Sequence, residues 1–338
     1  MRRHVAVAKM EAHPREVTVS TVENERGGDG PRVCVLAVAP ILEVTVETTF
    51  NDPGSPQVHV HAGGQGLWVA RMIAALGGRA VVCAPFGGET GTAAAALARA
   101  EGLDLRVTGA TGNSTHILDY RGGSREEVVV MRIPALDHHA QDDLFGTMLV
   151  NALAADLCVV TGADADLGVP PDFFERLATD LRSSGKPVVA DLSGDQARAV
   201  VTAGGVILKI SHEEMLDGGF ADDDSVGALR DAGRSLIDHG LEAIVVSRAG
   251  DPTLVVTGED AHLLEAPAVT TTEHKGAGDS MTAGIAVGTG RGMPLVEAVR
   301  LGAAAGALNV TRRGLGTGRR DQIETFAEHV EVRRLGHG

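Results

Sequence analysis

The chain has 338 residues, 43% of them hydrophobic, which is enough for one large domain or two small ones with a sizeable core. Its formal net charge of −15 argues against a nucleic-acid partner and against an anionic membrane surface, but not against a phosphorylated small molecule. No apolar run is long enough to span a bilayer, and the basic start lacks the apolar stretch of a signal peptide. We therefore expect a cytoplasmic protein.

The first half of the chain combines buried strands, helices and two ribbons of alternating polarity. Residues 1–31 end in ERGGDGP, and we expect a flexible extension there. RVCVLAV predicts a buried strand, and EVTVETTF and QVHVHA predict a hairpin joined by the turn residues NDPGSP. GLWVARMIAALGG predicts a helix that ends at glycine. A further strand and helix precede a second alternating pair, STHILDY and EEVVVMR.

The second half alternates regularly between strands and helices, from DLCVVTG to EAIVVSRAG, and continues with a hairpin made of TLVVTG and AHLLEAP. Two helices follow, GDSMTAGIAVGTGRG and VEAVRLGAAAGALNV, and we expect the tail DQIETFAEHVEVRRL to form a last helix. This alternation predicts a mainly parallel sheet with helices on its faces over residues 32–338. The ribbons near 43–61 and 114–132 interrupt the alternation and predict one small accessory sheet at one end of the domain.

The segment HKGAGDSMTAG, residues 274–284, opens a helix with a glycine-rich turn. The first amides of a helix are free and favour an anion, so Gly276, Ala277 and Gly278 could surround a phosphoryl group during its transfer. Asp279 follows within the first turn, where its carboxylate could accept a proton from an attacking hydroxyl. The four residues alone are equally compatible with a tight turn and a helix-capping aspartate.

Together with HAGGQGLWVARMIAALGG, FGGETG and KPVVADLSG, this segment makes the chain similar to the PfkB, or ribokinase-like, family of carbohydrate kinases, from about Val33 to Gly318. The branch that it resembles most contains 1-phosphofructokinase and tagatose-6-phosphate kinase. The resemblance implies a three-layer α/β/α domain with a small β-sheet lid, ATP and Mg²⁺ as cofactors, and a homodimer formed through the lid. It also implies that Asp279 is the catalytic base and that residues 276–278 form the anion hole.

The resemblance also implies a nucleotide side. Ser211 and Glu214 stand where the family has Asn-x-x-Glu, which organises the magnesium–nucleotide complex, so Glu214 would act on Mg²⁺ indirectly. Lys209 and Ser247 occupy nucleotide-side positions. Lys275 could contact the nucleotide phosphates or could face solvent.

The acceptor side departs from the phosphosugar branch. Glu43 stands in place of an aspartate and Trp68 in place of an asparagine. Gln65 replaces a lysine and Thr115 replaces an arginine. We expect six residues to bind the acceptor: Glu43, Gly63, Gly64, Gln65, Trp68 and Thr115.

The substitutions at Gln65 and Thr115 remove charge. Lysine and arginine hold a phosphate through charge-assisted hydrogen bonds of roughly 1.5–3 kcal/mol each, which glutamine and threonine do not match. Trp68, the only tryptophan, could stack on a sugar ring or pack in the helix–sheet core. We therefore predict an ATP-dependent kinase for an unphosphorylated acceptor such as a sugar derivative, a cyclitol or an acarbose-like pseudo-oligosaccharide.

Two alternatives remain open. Arg71, Arg121, Arg125 and Arg132 could replace the lost cations, and the chain would then be a 1-phosphofructokinase or another hexose-phosphate kinase. The altered segments around Lys209 and Ser247 are also compatible with a kinase-like binding protein that has lost turnover, although the intact GAGD motif argues against it.

Overall fold

The computed structural model describes residues 30–49, 52–121, 126–132, 135–162, 169–272, 275–312 and 315–336. The expected flexible extension, 1–31, lies outside these residues except for Gly30 and Pro31. No helix within the described ranges has the length and apolar character that crossing a membrane requires.

The described residues form fourteen strands and ten helices. The strands are β1 (Arg32–Ala37), β2 (Ile41–Thr49), β3 (Asp52–Gly63), β4 (Arg79–Phe86), β5 (Asp104–Gly109), β6 (Ser114–Asp119), β7 (Glu126–Met131), β8 (Leu157–Thr161), β9 (Val188–Asp191), β10 (Ile207–Ser211), β11 (Ala243–Arg248), β12 (Asp251–Thr257), β13 (Ala261–Glu265) and β14 (Glu331–Leu335). The helices are α1 (Gln65–Ala75), α2 (Gly88–Ala100), α3 (His138–Leu153), α4 (Pro171–Ser183), α5 (Gly194–Ala203), α6 (His212–Asp217), α7 (Val226–Asp238), α8 (Ala277–Gly290), α9 (Leu295–Asn309) and α10 (Arg320–Ala327).

The main sheet has ten strands in the order β14-β13-β12-β11-β10-β9-β8-β1-β4-β5. The strands from β11 to β5 pair in parallel, and β12, β13 and β14 extend one edge in antiparallel pairing. Alternate residues of β1 are buried in two separate hydrophobic clusters, Val33 and Val35 in one and Cys34 and Leu36 in the other. Because the sheet is buried on both faces by helices, the predicted three-layer α/β/α fold is confirmed.

A second sheet has four strands in the order β3-β2-β6-β7. Strands β2 and β3 form a hairpin, β6 joins β2 in parallel, and β7 closes the other edge next to β6. These strands come from the two ribbons of alternating polarity, and we call this sheet the lid.

The predicted last helix is wrong in its second half. Helix α10 ends at Ala327, and Glu331–Leu335 form strand β14 against β13. The open edge of β13 offers unpaired backbone groups, and Arg334 forms an ion pair with Asp260 beside it. Tertiary pairing therefore overrides the helical continuation. Strand β5 was not predicted from the sequence.

Helix α8, which carries the glycine-rich turn, packs against α9 at very short range. A Cβ added at Gly284 would lie 2.5 Å from the Cα of Gly302, so the two backbones touch. This contact fixes α8 above the sheet, with its first turn near the carboxyl ends of β9 and β10, the edge where ligands bind in open α/β sheets.

Candidate active site

The predicted anion hole is formed by the start of α8. Gly276 adopts a left-handed conformation with φ of 80°, which glycine accepts readily, and α8 begins at Ala277. No described side chain caps this helix end, so its first amides remain available for an anion. A Cβ at Gly276 would lie 3.2 Å from the Asn309 Nδ2, which shows how closely α9 supports the turn.

Asp279 lies in the first turn of α8 and is partly buried. Burial, together with repulsion from Asp191, raises its pKa to about 7, and the positive charges of Lys209 and Lys275 limit that rise. A carboxyl group that titrates near neutral pH is well matched to accept a proton from a hydroxyl.

Lys209 is buried, with 6% exposure, and its ammonium group lies 3.1 Å from Asp191 Oδ1. The Thr282 hydroxyl donates to the other oxygen, Asp191 Oδ2, at 2.6 Å. Burial alone would lower the pKa of Lys209, but the negative charges of Asp191, Glu214 and Asp279 raise it. A Cβ added at Gly278 would lie 2.6 Å from the Lys209 Nζ. The ammonium group therefore lies against Gly278 of the predicted anion hole.

Asp191 and Thr282 were not predicted as site residues from the sequence. An acidic residue at the carboxyl end of a buried parallel strand was the available signal for Asp191. Thr282 occurs one turn after Asp279, within a run of small residues that showed no such signal.

Ser211, Glu214 and Ser247 lie at the carboxyl ends of β10 and β11. Ser211 and Ser247 are register partners in the sheet. Ser211 begins α6 with a capping box, in which Glu214 Oε2 accepts hydrogen bonds from the Ser211 backbone N–H and hydroxyl, each at 2.8 Å. The Glu214 carboxylate is thereby held in place at the start of α6.

On the predicted acceptor side, Gly63, Gly64, Gln65 and Trp68 are brought together where β3 enters α1. Gly64 has φ of 102°, and a Cβ there would lie 2.4 Å from the Ala39 carbonyl oxygen. Gln65 Oε1 accepts a hydrogen bond from the Gly162 N–H at 3.2 Å. Trp68 is 7% exposed, and a Cβ at Gly63 would lie 3.4 Å from its ring.

Lys275 was predicted on the nucleotide side or facing solvent, and the structure places it against Trp68. Its ammonium nitrogen lies 5.5 Å from the centroid of the Trp68 ring, within the range of a cation–π interaction. The residue that precedes the anion hole therefore also contacts the predicted acceptor side.

The two predicted acceptor residues of the lid do not lie together. Glu43 is in register with His61 and His116, whereas Thr115 is in register with Leu42. Because neighbouring residues of a strand point to opposite faces, Glu43 and Thr115 project from opposite faces of the lid.

Two of the arginines that could replace the missing cations are held by carboxylates. Arg71 pairs with Glu101 at 2.6 Å and also donates to the Ala62 carbonyl oxygen. Arg121 pairs with Asp119 at 2.7 Å. Arg125 lies outside the described residues.

Comparison with known proteins shows similarity to carbohydrate kinases in both a family match and individual relatives. Residues 43–322 match the family described as pfkB family carbohydrate kinase. The chain is 30% identical over 307 residues to "ATP-dependent 6-phosphofructokinase isozyme 2" of Mycobacterium tuberculosis (strain ATCC 25618 / H37Rv), covering 88% of this chain and 89% of the relative. It is 26% identical over 275 residues to "1-phosphofructokinase" of Bacillus subtilis (strain 168), covering 81% and 89%.

Among solved structures, phosphofructokinase-2 from Escherichia coli in complex with potassium superposes with a TM-score of 0.76. The alignment covers 88% of this chain and 98% of that chain at 24% identity. At this level of identity, the likeness concerns the fold.

Proposed function

Because the chain belongs to the pfkB family of carbohydrate kinases, it is a phosphotransferase that acts on a hydroxyl group, and we propose that this hydroxyl belongs to a hexose phosphate. The observation that carries the choice of acceptor is the 30% identity, over 88% of the chain, to a relative named 6-phosphofructokinase. This alternative now has more support than the unphosphorylated acceptor that we predicted from Gln65 and Thr115.

In the proposed reaction, Asp279 accepts the proton of the attacking acceptor hydroxyl, whose oxygen then forms a bond to the γ-phosphorus of ATP. ADP leaves with the electrons of the broken P–O bond. The amides at residues 276–278 stabilise the negative charge on the transferring group, and the buried ammonium of Lys209 adds positive charge beneath them. The chain thus supplies position and charge, which are the main requirements of phosphoryl transfer.

Magnesium fits this site if ATP supplies most of its oxygen ligands. The described residues contain no group of three His, Cys, Asp or Glu side chains that could hold a metal ion. Asp191 uses one oxygen for Lys209 and the other for Thr282, whereas Glu214 is anchored through Oε2. We propose that Glu214 orders the water molecules around the ion. The ion would neutralise negative charge on the nucleotide phosphates.

An unphosphorylated acceptor remains the second candidate, because few cations are available near the predicted acceptor residues to bind a phosphate. Gln65 is uncharged and bonded to the Gly162 backbone, and Arg71 and Arg121 are already engaged by carboxylates. A pocket with few available cations would favour a neutral sugar or cyclitol.

An acceptor panel separates the two candidates. We expect kcat/KM, measured as ADP release, to be at least about tenfold higher with fructose 6-phosphate or fructose 1-phosphate than with fructose, ribose or an aminocyclitol. A preference for unphosphorylated acceptors would refute the proposal. Asp279→Asn serves as the control for turnover by contaminating kinases.

We also propose a homodimer formed through the lid. The strand registers place Val58, Val60, Val129 and Met131 on one lid face, and their exposures are 61%, 42%, 44% and 44%. Such a surface is typical of an interaction site. Light scattering should give twice the chain mass for the wild type and a lower mass for the double variant Val58→Glu/Val60→Glu. A monomeric wild type would contradict the dimer.

A further inference from the structure

Lys275 and Trp68 form a pair that connects the catalytic loop with the acceptor side. Lys275 directly precedes the anion hole, and its ammonium nitrogen lies 5.5 Å from the centroid of the Trp68 ring. The same ring contacts Gly63 at the end of the lid strand β3, where a Cβ would lie 3.4 Å away. The indole therefore contacts both the end of β3 and the lysine.

The backbones of Lys275 and Trp68 are tied together by Asn309, which is 1% exposed at the end of α9. Its Nδ2 donates to the Lys275 carbonyl oxygen at 3.1 Å, and its Oδ1 accepts from the Gly316 N–H at 3.0 Å. Gly316 in turn touches the Trp68 backbone, because a Cβ there would lie 2.4 Å from the Trp68 carbonyl oxygen. The backbone of the lysine is thus held next to that of Trp68 by buried contacts.

The charge of Lys275 reaches the reaction centre, since it opposes the rise in the pKa of Asp279. Its aromatic partner belongs to α1, whose start also holds Gln65. Lys275 therefore brings a cation to the Trp68 ring, on the helix whose first residue, Gln65, is uncharged.

We propose that Lys275, supported by the Trp68 ring, binds an anionic group of the acceptor and determines the preference for phosphorylated acceptors. An ammonium has three N–H donors, so one that rests on an aromatic face can also donate to a phosphate oxygen. The inference rests on the proposed function, because it assigns the residue that recognises the phosphate of a hexose phosphate.

Steady-state kinetics test the assignment through separate KM values. Lys275→Met should raise the KM for fructose 6-phosphate about 10- to 100-fold, the value expected for one lost charge-assisted hydrogen bond. The KM for ATP should stay within about twofold, and Lys275→Arg should recover most of the acceptor affinity. The matched control is Arg121→Gln, which removes a lid cation that Asp119 already holds. An equal or larger rise in the KM for ATP would place Lys275 on the nucleotide side and overturn the inference.

Binding without turnover separates this inference from the proposed function. Trp68 is the only tryptophan, so its fluorescence reports directly on the pair. Titration of the wild type with fructose 6-phosphate, fructose 1-phosphate or inorganic phosphate, without nucleotide, should change the emission, and Lys275→Met should weaken that response at least about tenfold.

If the enzyme turns over only unphosphorylated acceptors, the proposed function fails, and a Lys275-dependent response to phosphate still supports an anion site. Equal binding by the wild type and Lys275→Met, or no response of the wild type to any of the three probes, overturns the inference.

Discussion

Replacing Asp279 with asparagine should stabilise the protein, and the gain should depend on pH. Burial and the charge of Asp191 raise the pKa of Asp279 from 3.8 to about 7. Between these values the folded protein holds the proton more tightly than the unfolded chain, so the free energy of unfolding falls as the pH rises. Each unit of difference between the folded and unfolded pKa corresponds to about 1.36 kcal/mol in the free energy of unfolding, so about three units correspond to about 4 kcal/mol.

Asparagine does not ionise, so the free energy of unfolding of the variant does not fall in this way as the pH rises. Urea denaturation of both proteins at pH 4, 6 and 8 should show nearly equal stability at pH 4, and at pH 8 an advantage of about 2 to 4 kcal/mol for Asp279→Asn. The upper value applies to a fully buried carboxyl, and Asp279 is only partly buried.

Asp137→Asn is the control for this experiment. Asp137 caps α3 by accepting a hydrogen bond from the Ala140 N–H, and this bond lowers its pKa. Its contribution to stability is therefore present above the ordinary pKa and is lost as the pH falls, so the control should show no gain at pH 8. A stability difference between Asp279→Asn and the wild type that is the same at pH 4 and pH 8 would refute the assigned electrostatics.

Three further predictions concern the same helix and its surroundings. The kcat/KM for the acceptor should rise with pH around a pKa of about 7, since Asp279 must be ionised to accept a proton, and a profile that is flat from pH 5 to 9 would contradict this. Lys209→Met should lower the free energy of unfolding by about 3–5 kcal/mol in urea denaturation, because it leaves the buried Asp191 carboxylate without its cation, and a loss below about 1 kcal/mol would contradict it. Gly284→Ala should lower Tm because its Cβ would lie 2.5 Å from the α9 backbone, whereas Gly146→Ala, with nothing within 4 Å, should not lower Tm.

The glycine-rich helix start around Gly276 could be predicted from the sequence because its conformation is local. The left-handed turn at Gly276 and the carboxylate of Asp279 are separated by only two residues, and one helix start places both. The buried ion pair of Lys209 and Asp191 could not be predicted in the same way. Its partners come from neighbouring strands, and only the strand order β10-β9 brings them under α8.

The surroundings of the predicted acceptor residues could not be inferred from the sequence, because contacts between distant parts of the chain determine them. Lys275 faces Trp68 because Asn309 and Gly316 join the two backbones, and neither residue carries a sequence signal for that function. Glu43 and Thr115 both matched acceptor positions in the sequence, but the register of β2 against β6 sends them to opposite faces of the lid. Register depends on the whole sheet and cannot be read from either segment alone.

The same limitation explains the tail of the chain. The segment EVRRL follows α10 after a short turn and could continue a helix by composition. The free edge of β13 decides the outcome, and that edge exists only in the folded sheet.

We propose Asp279 as the base for phosphoryl transfer from ATP to a hydroxyl of a hexose phosphate. Phosphorus NMR of the products formed from ATP and fructose 6-phosphate tests it most directly. The wild type should form a fructose bisphosphate and ADP, and Asp279→Asn should form them about 10²- to 10⁴-fold more slowly. A wild type that phosphorylates no hexose phosphate, or an asparagine variant within about tenfold of the wild-type rate, would contradict it.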